Sequence, residues 1–246
     1  MQTIDELMRR VKSAILNANA YNSKLSNDII TMDGMSSKKI KHFLNNICSN
    51  SDVVYLEVGT GTGSTFCSAM YNNDIIAYAC DAWLESKLGT DGRKTFLENY
   101  NKHINKKHGY TLIDGDCFSL DLSLIKDKIN VYFYDAGHEK EDHEKSLTYF
   151  EQILDDRCIM IIDDWNDEDV QNGTIDGLNK AHFLVKHQSL CSVIEDNITY
   201  NNEHWWNGLQ VFVLERSFDK KIQYNSVFVD NELKEQGGIC EKQSSF

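Results

Sequence analysis

Val53-Val54-Tyr55-Leu56-Glu57-Val58-Gly59-Thr60-Gly61-Thr62-Gly63-Ser64 is an apolar run of strand length that breaks into three alternate glycines. A run that is apolar on both faces suits a strand whose sheet is covered on both sides. Glycines let the backbone turn tightly and approach a ligand closely, and the free N–H groups at a helix start favour anionic groups. Residues 64–72 have the length of that helix. Strand, glycine turn and helix together imply a nucleotide-like ligand.

Downstream, further short apolar runs occupy 75–80, 110–113, 129–134 and 158–162, separated by segments of helical length near 91–103, 119–127, 139–153 and 170–187. Strands alternating with helices predict an α/β fold with a parallel sheet. Two last strand candidates, 190–198 and 209–215, flank a loop holding Trp205, Trp206 and Asn207 that has no room for a helix, so the sheet is expected to end in an antiparallel hairpin. The second strand stops at Asp81, whose carboxylate can accept both hydroxyls of a ribose lying across the strand ends.

Upstream, Ile4, Leu7, Met8, Val11, Ile15 and Leu16 recur at helical spacing, and Ser36 or Ser37 can cap a second helix through Ile47. Residues 1–50 therefore read as a helical lead-in, with Met35 and Ser36 as a candidate lid, 51–216 as the catalytic domain, and 217–246 as a polar tail. The tail's options are an edge strand from Ser226 to Val229, self-association as a homodimer, or fraying. Lys38, Lys39 and Lys41 read as a solvated helix face, and the pairs His103/His108 and His182/His187 as surface histidines.

The 246 residues carry 25 Lys+Arg against 38 Asp+Glu, a formal charge of −13, which disfavours nucleic acid and anionic membranes as partners. No run approaches the roughly 20 apolar residues of a spanning helix, and the first 30 lack a signal's apolar centre, so a cytoplasmic protein is expected. Seven scattered cysteines without a C-x-x-C pair support neither a disulfide framework nor a thiolate zinc site. The absence of proline removes the enzymes that methylate bases in DNA through Pro-containing motifs.

A dinucleotide fingerprint needs glycine where this chain has Ser64. The pattern E-x-G-x-G-x-G, with the closing hairpin, instead resembles the class I S-adenosylmethionine-dependent methyltransferases over roughly residues 53–215. That resemblance implies a Rossmann-like, seven-stranded, mostly parallel sheet with helices on both faces. It implies that Glu57 supports the loop and the methionine ammonium, that Gly59, Gly61, Gly63 and Ser64 pass beneath the donor, and that Asp81 holds its ribose. Trp83 would pack on adenine or else in the core, and Asp116, beside Cys117, would meet the adenine amino group.

Strand four ends in Asp135-Ala136-Gly137-His138 and strand five in Asp163-Asp164. Acids gathered at neighbouring strand ends repel one another unless a cation or protons compensate, and oxygen ligands favour Mg²⁺ or Mn²⁺. Both members of the doublet can face one site only if the strand ends between them. This is similar to the metal-dependent small-molecule O-methyltransferases acting on sugars and natural products, whose metal ligands match Asp135, Asp163 and Asp164. Several members carry a second Asp, credited as general base, where this chain has Gly137. His138 is the replacement candidate for a base, or else it orients Asp135 or caps the next helix. The expectation is a methyl transfer to a small-molecule hydroxyl, a sugar first of all. The alternatives are an NAD-dependent oxidoreductase and a non-catalytic module of the same fold.

Overall fold

A computed structural model describes residues 2–84, 91–104, 109–192, 203–219, 224 and 240–242. Five strands run parallel: β1 (Val54–Val58), β2 (Ile76–Asp81), β3 (Tyr110–Asp114), β4 (Ile129–Tyr134) and β5 (Leu154–Ile162). β6 (Phe183–Cys191) and β7 (Leu209–Arg216) form the closing antiparallel hairpin, with β7 inserted against β5. A short β8 (Cys240–Lys242) pairs antiparallel with the outer edge of β6, giving the order β3-β2-β1-β4-β5-β7-β6-β8. Part of the tail is thus an edge strand, while Ser226 to Val229 lies outside the described residues.

The period-two alternation of each strand sorts its side chains between two cores. Tyr55, Ala77, Val131, Phe133, Ile159, Ile161, Val211 and Val213 face α1 (Ile4–Asn19), α3 (Lys38–Ile47), α4 (Ser64–Met70) and α5 (Gly92–His103). Leu56, Val58, Tyr132, Tyr134, Met160, Ile162, Phe212 and Leu214 face α6 (Lys140–Thr148) and α7 (Glu168–Lys180). The helix starts are set locally. Thr3 and Glu6 form a reciprocal capping box on α1, and Ser37, rather than Ser36, caps α3 through the Ile40 N–H.

Several boundaries differ from the sequence reading. The expected helix over 119–127 is a single 3₁₀ turn, Leu122–Leu124, none of whose residues is buried, so no apolar face extends it. The segment 139–153 breaks after Thr148 into a 3₁₀ turn, Phe150–Ile153. The helix expected through 187 stops at Lys180, and 183–191 is strand because β7 offers it a full hydrogen-bonded ladder. The strand expected over 190–198 therefore ends at Cys191, and 193–198 lies outside the described residues.

The lysine face of α3 is corrected as well. Lys39 and Lys41 are buried, and Lys41 Nζ donates to the carbonyls of Ile30 and Met32 at 3.1 and 2.6 Å. The long stem lies in the core while the ammonium finds backbone acceptors, and burial pushes the Lys41 amine down to about 8. Those carbonyls follow α2 (Asn27–Ile30), so Lys41 ties down the link that carries Gly34, Met35 and Ser36 to the strand ends. His187 is buried rather than superficial, its Nε2 3.0 Å from Ser189 Oγ; His182 does lie at the surface beside Glu151. His108 lies outside the described residues.

Candidate functional site

The carboxyl ends of β1 to β5 open into one cavity of about 970 Å³. Its floor is the glycine turn. Gly59 has φ +94°, and a Cβ there would lie 1.8 Å from the Asp135 carbonyl oxygen, so only glycine lets β1 and β4 close up at this point. Gly63 (φ +86°) begins α4 against the Phe96 ring, where a Cβ would come within 2.8 Å. Ser64 borders the cavity and is pressed from behind by Gly34 of the α2–α3 link.

Each predicted donor-site residue has a definite place. Asp81 stands at the rim, with its two carboxylate oxygens accepting from the Gly61 and Trp83 N–H groups, both at 2.7 Å. Trp83 folds its indole back over the turn, donating Nε1–H to the Gly61 carbonyl at 2.8 Å; it borders the cavity and also packs on the core, its ring 5.8 Å from that of Phe96. Asp116 and Cys117 form the wall beyond β3. Asp116 is already engaged, accepting from the Phe118 N–H at 3.0 Å and the Ser119 hydroxyl at 2.9 Å.

Glu57 and Gly63 are not on the cavity wall. Glu57 lies fully buried below it, accepting hydrogen bonds from the Tyr55 hydroxyl at 2.5 Å and the Thr65 hydroxyl at 2.7 Å. Burial pushes its carboxyl up to about 7 against the pull of those two donors. Its visible task is to brace the base of the turn.

The acid cluster forms where strand ends β4 and β5 meet. The Asp163 N–H continues the ladder to the Tyr134 carbonyl at 3.2 Å, and the chain then reverses at Asp164, whose φ is +53°. That left-handed residue resolves the alternation problem, because both members of the doublet border the cavity. Burial, then the charges of Asp163 and Asp164, hold the Asp135 carboxyl well above the usual carboxylate range. Burial and the Asp164 charge do the same for Asp163, whose Oδ1 is a buried oxygen with no hydrogen-bond partner among the described residues. Burial also acts on Asp164, but the hydrogen bond and charge of His138 outweigh it, helped by Asn207, and leave this carboxyl below its ordinary value.

His138 Nε2 is 2.8 Å from Asp164 Oδ2, and the Asn207 amide donates to Asp164 Oδ1 at 2.6 Å. Ligand atoms of Asp135, His138 and Asp164 lie within 4.8 Å of one another. Asp163 borders the same cavity, and its charge is the first to act on Asp135 after burial. The histidine orients Asp164 rather than Asp135.

The hairpin loop divides its labour. Trp206 and Asn207 border the cavity, whereas Trp205 is buried edge-on to Phe43 and donates to Asn19. Asn207 as a partner of Asp164 was not legible as such; its signal was the Asn207-Gly208 turn, both residues at positive φ. Asp142 on the wall was missed altogether. Among the described residues, seven that line the cavity are aspartates and none is Lys or Arg. Among the described residues no helix is long and apolar enough to cross a membrane.

No family model matches the chain, and no curated protein matches it in sequence. Solved structures do. One is a candidate methyltransferase, SMU.776, complexed with S-adenosylhomocysteine, at TM-score 0.53 and 14% identity over 74% of this chain and 50% of that one. A second is a candidate O-methyltransferase from Klebsiella pneumoniae, at TM-score 0.50 and 15% identity over 84% and 89%. A third is a candidate RNA methyltransferase from Pyrococcus horikoshii, at TM-score 0.50 and 11% identity over 85% and 100%. The chain spans about half the length of the first of these. The third overturns the exclusion of nucleic acid drawn from net charge: a charge of −13 describes the whole surface, while the same fold is reported on RNA. In strand order, closing hairpin and glycine turn, this chain has the Rossmann-like fold of the class I S-adenosylmethionine-dependent methyltransferases.

Proposed function

We propose that the protein is an S-adenosylmethionine-dependent O-methyltransferase acting on a hydroxyl of a small molecule, a sugar first of all, with help from a divalent cation. One observation carries this reading: the glycine turn with its rim acid Asp81 and the Asp135/His138/Asp164 cluster border the same cavity. A nucleoside-bearing donor and a hydroxyl acceptor can then meet end to end.

Asp81 keeps acceptor lone pairs beyond its two backbone donors, and these suit the ribose hydroxyls. The residues also fit a cation. Asp135 and Asp163 have carboxyls raised by burial and mutual repulsion, and Asp163 keeps an unpartnered buried oxygen, so positive charge between these groups relieves both costs. Asp135, Asp163 and Asp164 would hold Mg²⁺ or Mn²⁺; such an ion would make a hydroxyl more acidic and fix its direction.

His138 is the base. Its Nε2 is held 2.8 Å from Asp164 Oδ2, and Asn207 keeps Asp164 in place. The acceptor proton would pass to the imidazole as the oxygen bonds to the methyl carbon and the carbon–sulfur bond breaks with its electron pair left on sulfur. The thioether leaves neutral and needs no acid. The rest is positioning.

The test is methyl transfer from labelled donor to a panel of free and nucleotide-linked sugars, phenolics and RNA. Transfer to a sugar hydroxyl that chelation abolishes is expected; transfer to RNA or a phenolic alone overturns the sugar reading. A thermal shift with NAD and none with S-adenosylhomocysteine would replace the donor reading by the oxidoreductase one. His138→Gln is expected to lower kcat about 10²–10⁴-fold while calorimetry finds Mn²⁺ affinity unchanged. Lost Mn²⁺ binding in that variant would make His138 a ligand and not the base.

A further inference from the structure

Asp142 sits in the first turn of α6 and borders the cavity, yet its carboxylate makes no hydrogen bond or ion pair among the described residues. It occupies space that the chain leaves open elsewhere. A Cβ built on Gly137 would lie 2.1 Å from Asp142 Oδ2 and 3.0 Å from its Cγ, so the carboxylate fills the room of the missing side chain just beyond β4. Its charge is felt across the wall. After burial and the charge of Asp116, Asp142 helps push the Cys117 thiol up to about 12, and it also acts on the Tyr134 hydroxyl. Asp142 therefore faces the Asp116–Cys117 side of the cavity.

Asp116 spends one hydrogen bond from each oxygen on its own turn, with Phe118 and Ser119, whereas the Asp142 carboxylate spends none among the described residues. The ribose acid Asp81 ends β2, and one strand, β1, separates β2 from β4. Adjacent strands stand about 4.8 Å apart, so the ends of β2 and β4 are about 10 Å apart, a span that a nucleoside bridges. A carboxylate only accepts hydrogen bonds, and the exocyclic amino group of adenine only donates. A base with a carbonyl at that position would turn an oxygen toward Asp142 and be repelled.

We infer that Asp142 reads the base of the donor: its carboxylate, seated where Gly137 has no side chain, accepts from the adenine amino group, a task the family resemblance implies for Asp116. This rests on the donor reading above. It adds a specificity residue to that site.

Calorimetric titration of S-adenosylhomocysteine and of S-inosylhomocysteine, its 6-oxo counterpart, into the full chain separates the two ideas. The unaltered protein is expected to prefer the amino base about tenfold or more, as a hydrogen bond to a charged group allows. In Asp142→Ala the preference falls to within about threefold. In Asp142→Asn, which keeps the shape of the side chain, it flattens or reverses, because an amide can donate to the 6-oxo group. Gly137→Ala displaces the carboxylate and reproduces the loss. Circular dichroism checks each fold, and the Asn variant decides if the Ala variant does not fold. A preference that persists in the folded Asp142 variants, or an unaltered protein that binds both ligands equally, overturns the inference and leaves the donor reading standing. Failure of the unaltered protein to bind S-adenosylhomocysteine overturns both.

Discussion

Burying Glu57 between the Tyr55 and Thr65 hydroxyls makes its proton part of the fold. Its carboxyl lies at about 7 when folded against an ordinary 4.5, so between those values the folded state binds more protons than the unfolded one. The stability this group contributes is complete below about pH 4.5 and is lost as pH rises through about 7. Glu57→Gln, which is never charged, is expected to gain on the unaltered protein by a few degrees of Tm between about pH 5 and pH 8. A Tm difference that does not move with pH, in a fluorimetric melt, would refute the buried-carboxyl account. At this scale the sequence tells residue types and not neighbours. Lys41 reads as solvated because lysine usually is, and only the carbonyls of Ile30 and Met32, delivered by a separate turn, make its burial tolerable. Asp142 was invisible for a related reason: its significance depends on an empty Cβ position at Gly137.

The glycine turn offers a contrast at the scale of an element. Gly59 combines φ +94° with a Cβ position 1.8 Å from a backbone oxygen, whereas Gly61 has φ +48° and nothing within 4 Å. Gly61→Ala therefore costs only the left-handed conformation, about 1–2 kcal/mol. Gly59→Ala must also separate β1 from β4, and its expected cost is about 3 kcal/mol or more, with loss of S-adenosylhomocysteine binding. Denaturant melts of the two variants check the order; equal losses would mean that the close approach is unimportant. β1, β2 and β4 were legible because their apolar runs end at glycines or acids. β6 was not, since Phe183, Leu184 and Val185 follow α7 with no proline or glycine to mark the change, and the ladder with β7 decides it. The reversal at Asp164 was foreseen only as a condition.

At the scale of the molecule, the tail clamps the hairpin edge. Val185 donates its N–H to the Tyr224 hydroxyl at 2.8 Å, and Tyr224 and Asn179 exchange two further hydrogen bonds. Tyr224→Phe leaves that buried N–H without an acceptor and is expected to cost about 1–3 kcal/mol, read from chemical denaturation. Removing residues 217–246 uncovers the β6 edge as well, so the shortened chain is expected to melt lower and to self-associate by light scattering. The aspartate-rich wall has a further consequence for turnover. On the proposed reading, a sulfonium donor would arrive carrying a positive charge and leave without it, so a cavity whose described lining has seven aspartates and no Lys or Arg would attract the fresh cofactor and loosen its grip on the spent one. Exchange of the used molecule would then be driven by the chemistry itself, and accumulation of by-product is expected to be a weak brake.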